Sequence, residues 1–309
     1  MSVALASSSR TRLATLLLVL VTAIWGSTFF LIKDLVASVP PTDFLAVRFT
    51  IAAVAMSLVF RRQLRGLSRR DVQLGLGLGA LYGLAQILQT VGLAHTDASV
   101  SGFITGTYVV LTPILGAVIF RDRIPVRVWV AASFAMTGIG VLSLRGVTIG
   151  FGETLTLVAA AIYALHIIGL GRYARAESAV GLATVQAIAV AVVCVVAAVP
   201  GGVTLPPTTG GWVSVIYMAL IAGAFCLWAQ TWAQAHLTAA RAAIVMSLEP
   251  VFAAFFAVLL GGESVTFRML LGGSLIVAAM YLVELAPRRR PDATALEDPP
   301  AEVLHHEAP

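Results

Sequence analysis

Few side chains in this chain could do chemistry, and nearly all of them lie inside long apolar runs. Arg48 sits about one and a half turns into one such run, where a guanidinium could attract a carboxylate or another anionic group. The other reading takes it outward along the surface to Asp43 or Asp34. Glu249 directly precedes Pro250 in another run. A proline lacks the N–H that would bond one turn back, so this pair reads as a kink carrying a carboxylate. Thr112-Pro113 is a similar kink without the charge. His166 follows Tyr163 by three residues, which puts both on one helix face, and a histidine there could shuttle protons or simply pack. Tyr82, Gln86 and Gln89 form a second stripe, and Trp25, Tyr108, Gln186, Trp228 and Gln230 add further aromatic and amide groups. Polar groups at membrane depth are costly, so each is a functional candidate. Trp25, Arg48, Tyr82, Gln86, Tyr163, His166 and Gln186 are the expected cavity residues. Thr112, Pro113, Glu249 and Pro250 are the expected kink, gating or coupling residues, with proton coupling through Glu249 or His166 left open.

Other chemistries lack their residues. There is no phosphate-binding loop ending in Gly-Lys, so no ATP site is expected, and no Gly-x-Ser-x-Gly or His-Glu-x-x-His motif. Cys194 and Cys226 lie in apolar runs with no metal spacing, so no metal or other cofactor is expected. His305 and His306 stand in a polar tail and are read as inert.

The elements that must hold these residues are membrane helices. Of 309 residues, 59% are hydrophobic and 11% charged, and mean hydropathy is +0.94. Charges this sparse cannot coat a water-facing surface, which in soluble domains is built from a chain about 25% charged. A bilayer core of ~30 Å needs about 20 apolar residues per helix. Ten segments qualify: 13–33, 43–60, 71–93, 98–120, 126–144, 151–171, 179–199, 211–234, 239–260 and 266–285. The first is read as a retained span rather than a cleaved leader. The runs are continuous, not alternating, which excludes a barrel.

Basic residues set the orientation. With the N-terminus inside, sixteen fall on the cytoplasmic side, from Arg10 and Arg12 through Arg61, Arg62, Arg65, Arg69 and Arg70 to Arg288, Arg289 and Arg290. Three (Lys33, Arg145 and Arg268) fall on the other side. That asymmetry predicts both ends cytoplasmic, and it accounts for the net +5 charge without a nucleic-acid partner.

The same unit is written twice. His95 is followed by Asp122 and His236 by Glu263, both after 27 residues, and the two pairs lie 141 residues apart. Trp25 and Tyr163, and Arg48 and Gln186, lie 138 apart. The prolines fall out of step, 18 residues after His95 but 14 after His236, which predicts kinks at different depths and pairs Thr112 with Glu249. A duplicated unit of five spans must insert its second copy inverted, the architecture of alternating-access carriers. The expected organisation is a cytoplasmic tail over 1–12, repeats over 13–145 and 150–286, and a disordered cytoplasmic tail over 287–309. Gly75, Gly79 and Gly83, and Gly102 and Gly106, have the spacing of close helix contacts.

Several stretches together resemble the drug/metabolite transporter superfamily, in its EamA-domain branch. They are Trp25-Gly26-Ser27-Thr28-Phe29, Pro41 through Arg48-Phe49, Ala98-Ser99 through Phe103-Ile104-Thr105-Gly106 with Pro113, and Ser247-Leu248-Glu249-Pro250-Val251-Phe252 with Gly262-Glu263. Asp122, where glutamate is common, and Ser264, where a basic residue is common, depart from the pattern. The resemblance implies an all-α polytopic membrane protein with ten transmembrane helices in two inverted five-helix repeats. It also implies export or uptake of a small-molecule substrate, often an amino acid or related metabolite, and the expected protein is an exporter of the bacterial inner membrane. A membrane-embedded lipid-modifying enzyme and a non-transporting receptor or scaffold are the alternatives.

Overall fold

The computed structural model describes residues 2–121, 125–145, 148–175, 177–237 and 245–284, with side chains described from residue 11 onward except at 143–145, 148, 283 and 284. Asp122, Arg241 and the C-terminal tail with Arg288 to Arg290, His305 and His306 lie outside the described residues. The chain folds as helices α1 (Ser2–Leu35), α2 (Pro41–Val59), α3 (Arg61–Arg65), α4 (Arg69–Ala94), α5 (Ala98–Gly106), α6 (Tyr108–Phe120) and α7 (Val126–Ser143). After a two-residue antiparallel pair, Leu144–Arg145 with Thr148–Ile149, come α8 (Phe151–Tyr173), α9 (Ala179–Ala198), α10 (Thr209–Ala219), α11 (Cys226–Gln234), α12 (Glu249–Leu259) and α13 (Phe267–Glu284). A π-helical turn, Leu220–Phe225, joins α10 to α11.

Among the described residues, seven helical stretches are long and apolar enough to cross a membrane: Thr11–Leu35, Pro41–Val59, Arg69–Ala94, Ala98–Phe120, Phe151–Tyr173, Ala179–Gly201 and Thr209–Gln234. Val126–Leu142, Glu249–Leu259 and Phe267–Leu282 are shorter apolar helices in the remaining expected segments. Helix starts follow local chemistry. Pro41 opens α2, where its missing N–H costs nothing. Ser68 accepts from the Asp71 N–H at 3.1 Å to open α4.

The strongest packing joins the front of the chain to the back: α4 on α8 and α9, α2 on α9, α1 and α5 on α12, and α7 on α13. Small residues permit these approaches. A Cβ on Gly79 would lie 2.6 Å from the Gln186 carbonyl and from the Ala189 Cβ, so α4 meets α9 backbone to backbone. Gly102 similarly faces the Ala253 Cβ at 2.5 Å. Without a hydrophobic driving force between helices in lipid, such close van der Waals packing is a main source of association.

The described anchors of the repeat, His95, His236 and Glu263, act at helix ends. His95, which ends α4, donates from Nδ1 to the Val91 carbonyl at 2.9 Å, and His236 does the same to Trp232 at 2.8 Å. Each ring satisfies a carbonyl left open at a helix C-terminus. Glu263 caps the start of α5 from the other half of the chain: its Oε1 accepts from Ala98 N at 2.7 Å, and Ser99 N is 3.4 Å away. Asp97, at the N-cap position, makes no side-chain cap bond itself. Glu263→Ala should therefore cost about 1 kcal/mol, read as a lower thermal unfolding midpoint of the purified protein, with Glu263→Gln intermediate. An unchanged midpoint in Glu263→Ala would remove the cap from the account.

Both long helices of the expected kinks are broken, but not where the prolines predict. The break between α5 and α6 falls at Thr107, and that before α12 at Ser247 and Leu248. Tyr108 and Glu249, the first residues of the helices that follow, are 141 residues apart, which is the repeat offset itself. The expectation of kinks at different depths, with Thr112 opposite Glu249, is thus corrected: Glu249 pairs with Tyr108. The physical reason is that Pro250 sits in the first turn of its helix and is tolerated there, whereas Pro113 lies inside α6 beyond the break.

Candidate substrate cavity

A cavity opens where the two broken helices meet α1, α2, α4 and α8. Trp25, Arg48, Tyr82, Gln86, Tyr163, His166 and Glu249 line it, along with Thr28, Gln89, Thr105, Tyr108, Gln230 and Met246. The cavity has a volume of about 50 Å3.

Arg48 is turned inward, not toward the outer surface. Its Nε donates to the Met218 carbonyl at 3.0 Å, and its guanidinium carbon lies 4.9 Å from the Phe49 ring centroid and 5.8 Å from that of Phe44. The rings contribute cation–π attraction. Asp43, the alternative partner, accepts instead from Thr204 N at 2.9 Å. Among the described residues no carboxylate pairs with Arg48, and its two terminal nitrogens make no hydrogen bond. Trp25 donates from Nε1 to the Ala222 carbonyl at 2.8 Å, within the π-helical turn, and Ser27 and Tyr217 share a hydrogen bond of 2.8 Å nearby. A π-turn leaves carbonyls out of register and recurs at functional sites. Here Trp25 takes one such carbonyl, and Arg48 takes another just before the turn.

On the facing side Tyr163 donates to Gln89 Oε1 at 2.9 Å, and Gln89 Nε2 donates to Thr105 at 2.9 Å. The Tyr82 ring packs against Tyr163 and His166, with centroids 5.6 and 5.2 Å away. Gln186 does not line the cavity. It lies behind His166, with its Oε1 2.8 Å from Nε2, while its own Nε2 reaches the Leu182 carbonyl at 3.4 Å. That orientation makes the His166 Nε2–H the donor and leaves Nδ1 as an acceptor. Thr112 and Pro113 are also off the cavity: the Thr112 hydroxyl bonds back to the Tyr108 carbonyl at 2.7 Å.

At the start of α12, Tyr108 donates to Glu249 Oε2 at 3.0 Å. The second carboxylate oxygen, Oε1, accepts no hydrogen bond among the described residues. Gln86 Oε1 and Gln230 Oε1 are buried and equally without a partner. Tyr108, Gln230 and Met246 join the site although residue types alone gave no reason to rank them above other mid-span groups. The repeat offset carried the signal for Tyr108, since it maps Tyr108 onto Glu249. Among the described residues no cluster of three His, Cys, Asp or Glu side chains could hold a metal ion.

Residues 12–144 and 150–285 each match the profile of the EamA-like transporter family. The chain is 33% identical over 273 residues to an uncharacterized transporter of Archaeoglobus fulgidus, covering 88% of this chain and 86% of the relative. It is 27% identical over 272 residues to the uncharacterized inner membrane transporter YedA of Escherichia coli K12, covering 85% and 87%. A solved crystal structure superposes with a TM-score of 0.63 at 19% identity, over 88% of this chain and 96% of that one, which is a likeness of fold. With the apolar helices and the family match over both halves, this multi-pass membrane protein is a transporter rather than an enzyme, and it belongs to the EamA-like transporter family.

Proposed function

We propose that the chain is a secondary transporter of the bacterial inner membrane, working as an exporter of small polar metabolites such as amino acids or related compounds. It is built as ten spans in two inverted repeats, 13–145 and 150–286, with both tails, 1–12 and 287–309, in the cytoplasm. The repeats rock against one another around the cavity, which opens alternately to each side.

The observation that carries this reading is the lining of the cavity. A guanidinium with free donors, Arg48, and a carboxylate with a free acceptor, Glu249, line one buried space without pairing with each other. Unpaired charges buried in this way cost several kcal/mol each, and a ligand carrying a carboxylate and an ammonium offsets both costs. Tyr82, Tyr163 and Trp25 supply flat apolar faces between them. The helix breaks at Thr107 and Leu248 are matched in sequence position, which suits two halves that exchange roles.

The test is a metabolite screen of deletion and overexpression strains, followed by flux into vesicles holding the purified protein. Overexpression should raise extracellular levels of at least one zwitterionic metabolite, and vesicles should move it. Vesicles that move nothing the screen identifies would overturn the proposed substrate class and direction. Proton coupling is tested on the same vesicles: Glu249→Gln should abolish the response to an imposed pH gradient, and an unchanged response takes Glu249 out of that role.

A further inference from the structure

Pro250 does more than start a helix. The backbone N–H that would bond the Met246 carbonyl, one turn back, belongs to residue 250 and is missing. Met246 borders the cavity, and what approaches its carbonyl there is the Tyr108 hydroxyl, at 3.4 Å. That same hydroxyl donates to Glu249 at 3.0 Å, so the Met246 carbonyl and the Glu249 carboxylate are neighbours. Gln230 reaches the same residue, its Nε2 lying 4.0 Å from the Met246 sulfur, which leaves Gln230 Oε1 buried and without a donor. Gln230 is 2% exposed and Glu249 7%.

Four oxygens therefore belong to the wall of one cavity: the Glu249 carboxylate, the Met246 carbonyl and the Tyr108 hydroxyl, which lie together, and Gln230 Oε1 from the same lining. Three are acceptors only. Gln230 Oε1 is a buried acceptor without a donor among the described residues, which costs about 1–3 kcal/mol. An ionised Glu249 would outweigh the roughly half positive charge that the start of α12 contributes. Arg48, the cation of the cavity, is held elsewhere on the Met218 carbonyl.

We propose that Glu249, Gln230, Met246 and Tyr108 form a binding site for a small monovalent cation, either the protonated amine of a substrate or an alkali ion. An ammonium group presents three donors to such a set, and a bare alkali ion is coordinated by carbonyl and carboxylate oxygens of this kind. Tyr108 is the positioning residue: it holds Oε2 so that Oε1 faces the space. The role of the site in transport rests on the function proposed above, but the binding does not.

The test uses the full chain in nanodiscs. Tryptophan fluorescence and thermal unfolding are followed during titration with sodium, potassium or methylammonium chloride, against N-methyl-D-glucamine chloride at constant ionic strength. At least one small cation should give a saturable response that the bulky one does not. Glu249→Gln and Gln230→Leu should each raise its half-saturation about tenfold or more, whereas Gln230→Glu should lower it. A response to methylammonium identifies the amine of a substrate, and a response confined to sodium or potassium identifies an ion. Identical behaviour in all four salts overturns the site, as does a wild-type half-saturation in Glu249→Gln and Gln230→Leu. If those two variants do not fold, a Gln230→Glu protein that binds no tighter overturns it. A protein that binds the cation yet moves no metabolite would end the reading as a metabolite exporter and leave the site standing.

Discussion

Arg48→Gln should reduce flux of the transported metabolite by about tenfold to a hundredfold while leaving the protein folded. The lost interaction is a hydrogen bond from a charged donor to the substrate, which contributes about 1.5–3 kcal/mol, and each 1.4 kcal/mol is a factor of ten. The fold survives because Arg48 holds Met218 through a single bond, and removing a buried guanidinium also removes its desolvation cost. Glutamine is moreover the residue at the matching position of the second half, Gln186. The measurement is substrate uptake into vesicles, with KM and maximal rate separated, alongside thermal unfolding in detergent. A loss expressed as raised KM places Arg48 on the bound substrate. Unchanged flux with a lowered unfolding midpoint would make it a structural strut between α2 and α10.

Gly79→Val should have the largest effect on stability. The added Cβ would meet the Gln186 carbonyl and the Ala189 Cβ at 2.6 Å, and its further methyls lie still deeper in the seam. Overpacking costs typically 1–3 kcal/mol where side chains can shift. Here a backbone carbonyl is among the neighbours, so the helices themselves must separate and the cost lies at or above the top of that range. Gly77→Val is the control: it lies two residues away on the same helix, exposed, with nothing within 4 Å of its added Cβ. Yield of monodisperse protein and its unfolding midpoint should fall sharply for Gly79→Val and stay near wild type for Gly77→Val. Equal behaviour of the two would mean that α4 does not pack on α9 through this face. Because Gln186 also orients His166, a tolerated but displaced Gly79→Val protein should show altered substrate affinity as well.

Sequence alone determined the medium, the long helices and the duplication, because each depends only on composition and on order along the chain. An apolar run of 20 residues has few alternatives to a helix in lipid, since every backbone polar group must be satisfied within the segment. Residue types also determined which side chains were worth following, since polar groups at membrane depth are rare enough to stand out. What the tertiary structure decided was direction and pairing. Arg48 could reach the surface or the interior by rotation of α2 alone, and a helix apolar all round has no periodicity that tells the two apart. Gln186 looked like a cavity residue and instead stands behind His166, for the same reason. The partner of Glu249 is Tyr108, from the other half of the chain, and the caps on α5 come from Glu263, also from the other half. Contacts between residues well over a hundred positions apart are set by how helices pack. In this protein that packing runs between the halves, so the cavity exists only once both copies of the repeat have come together.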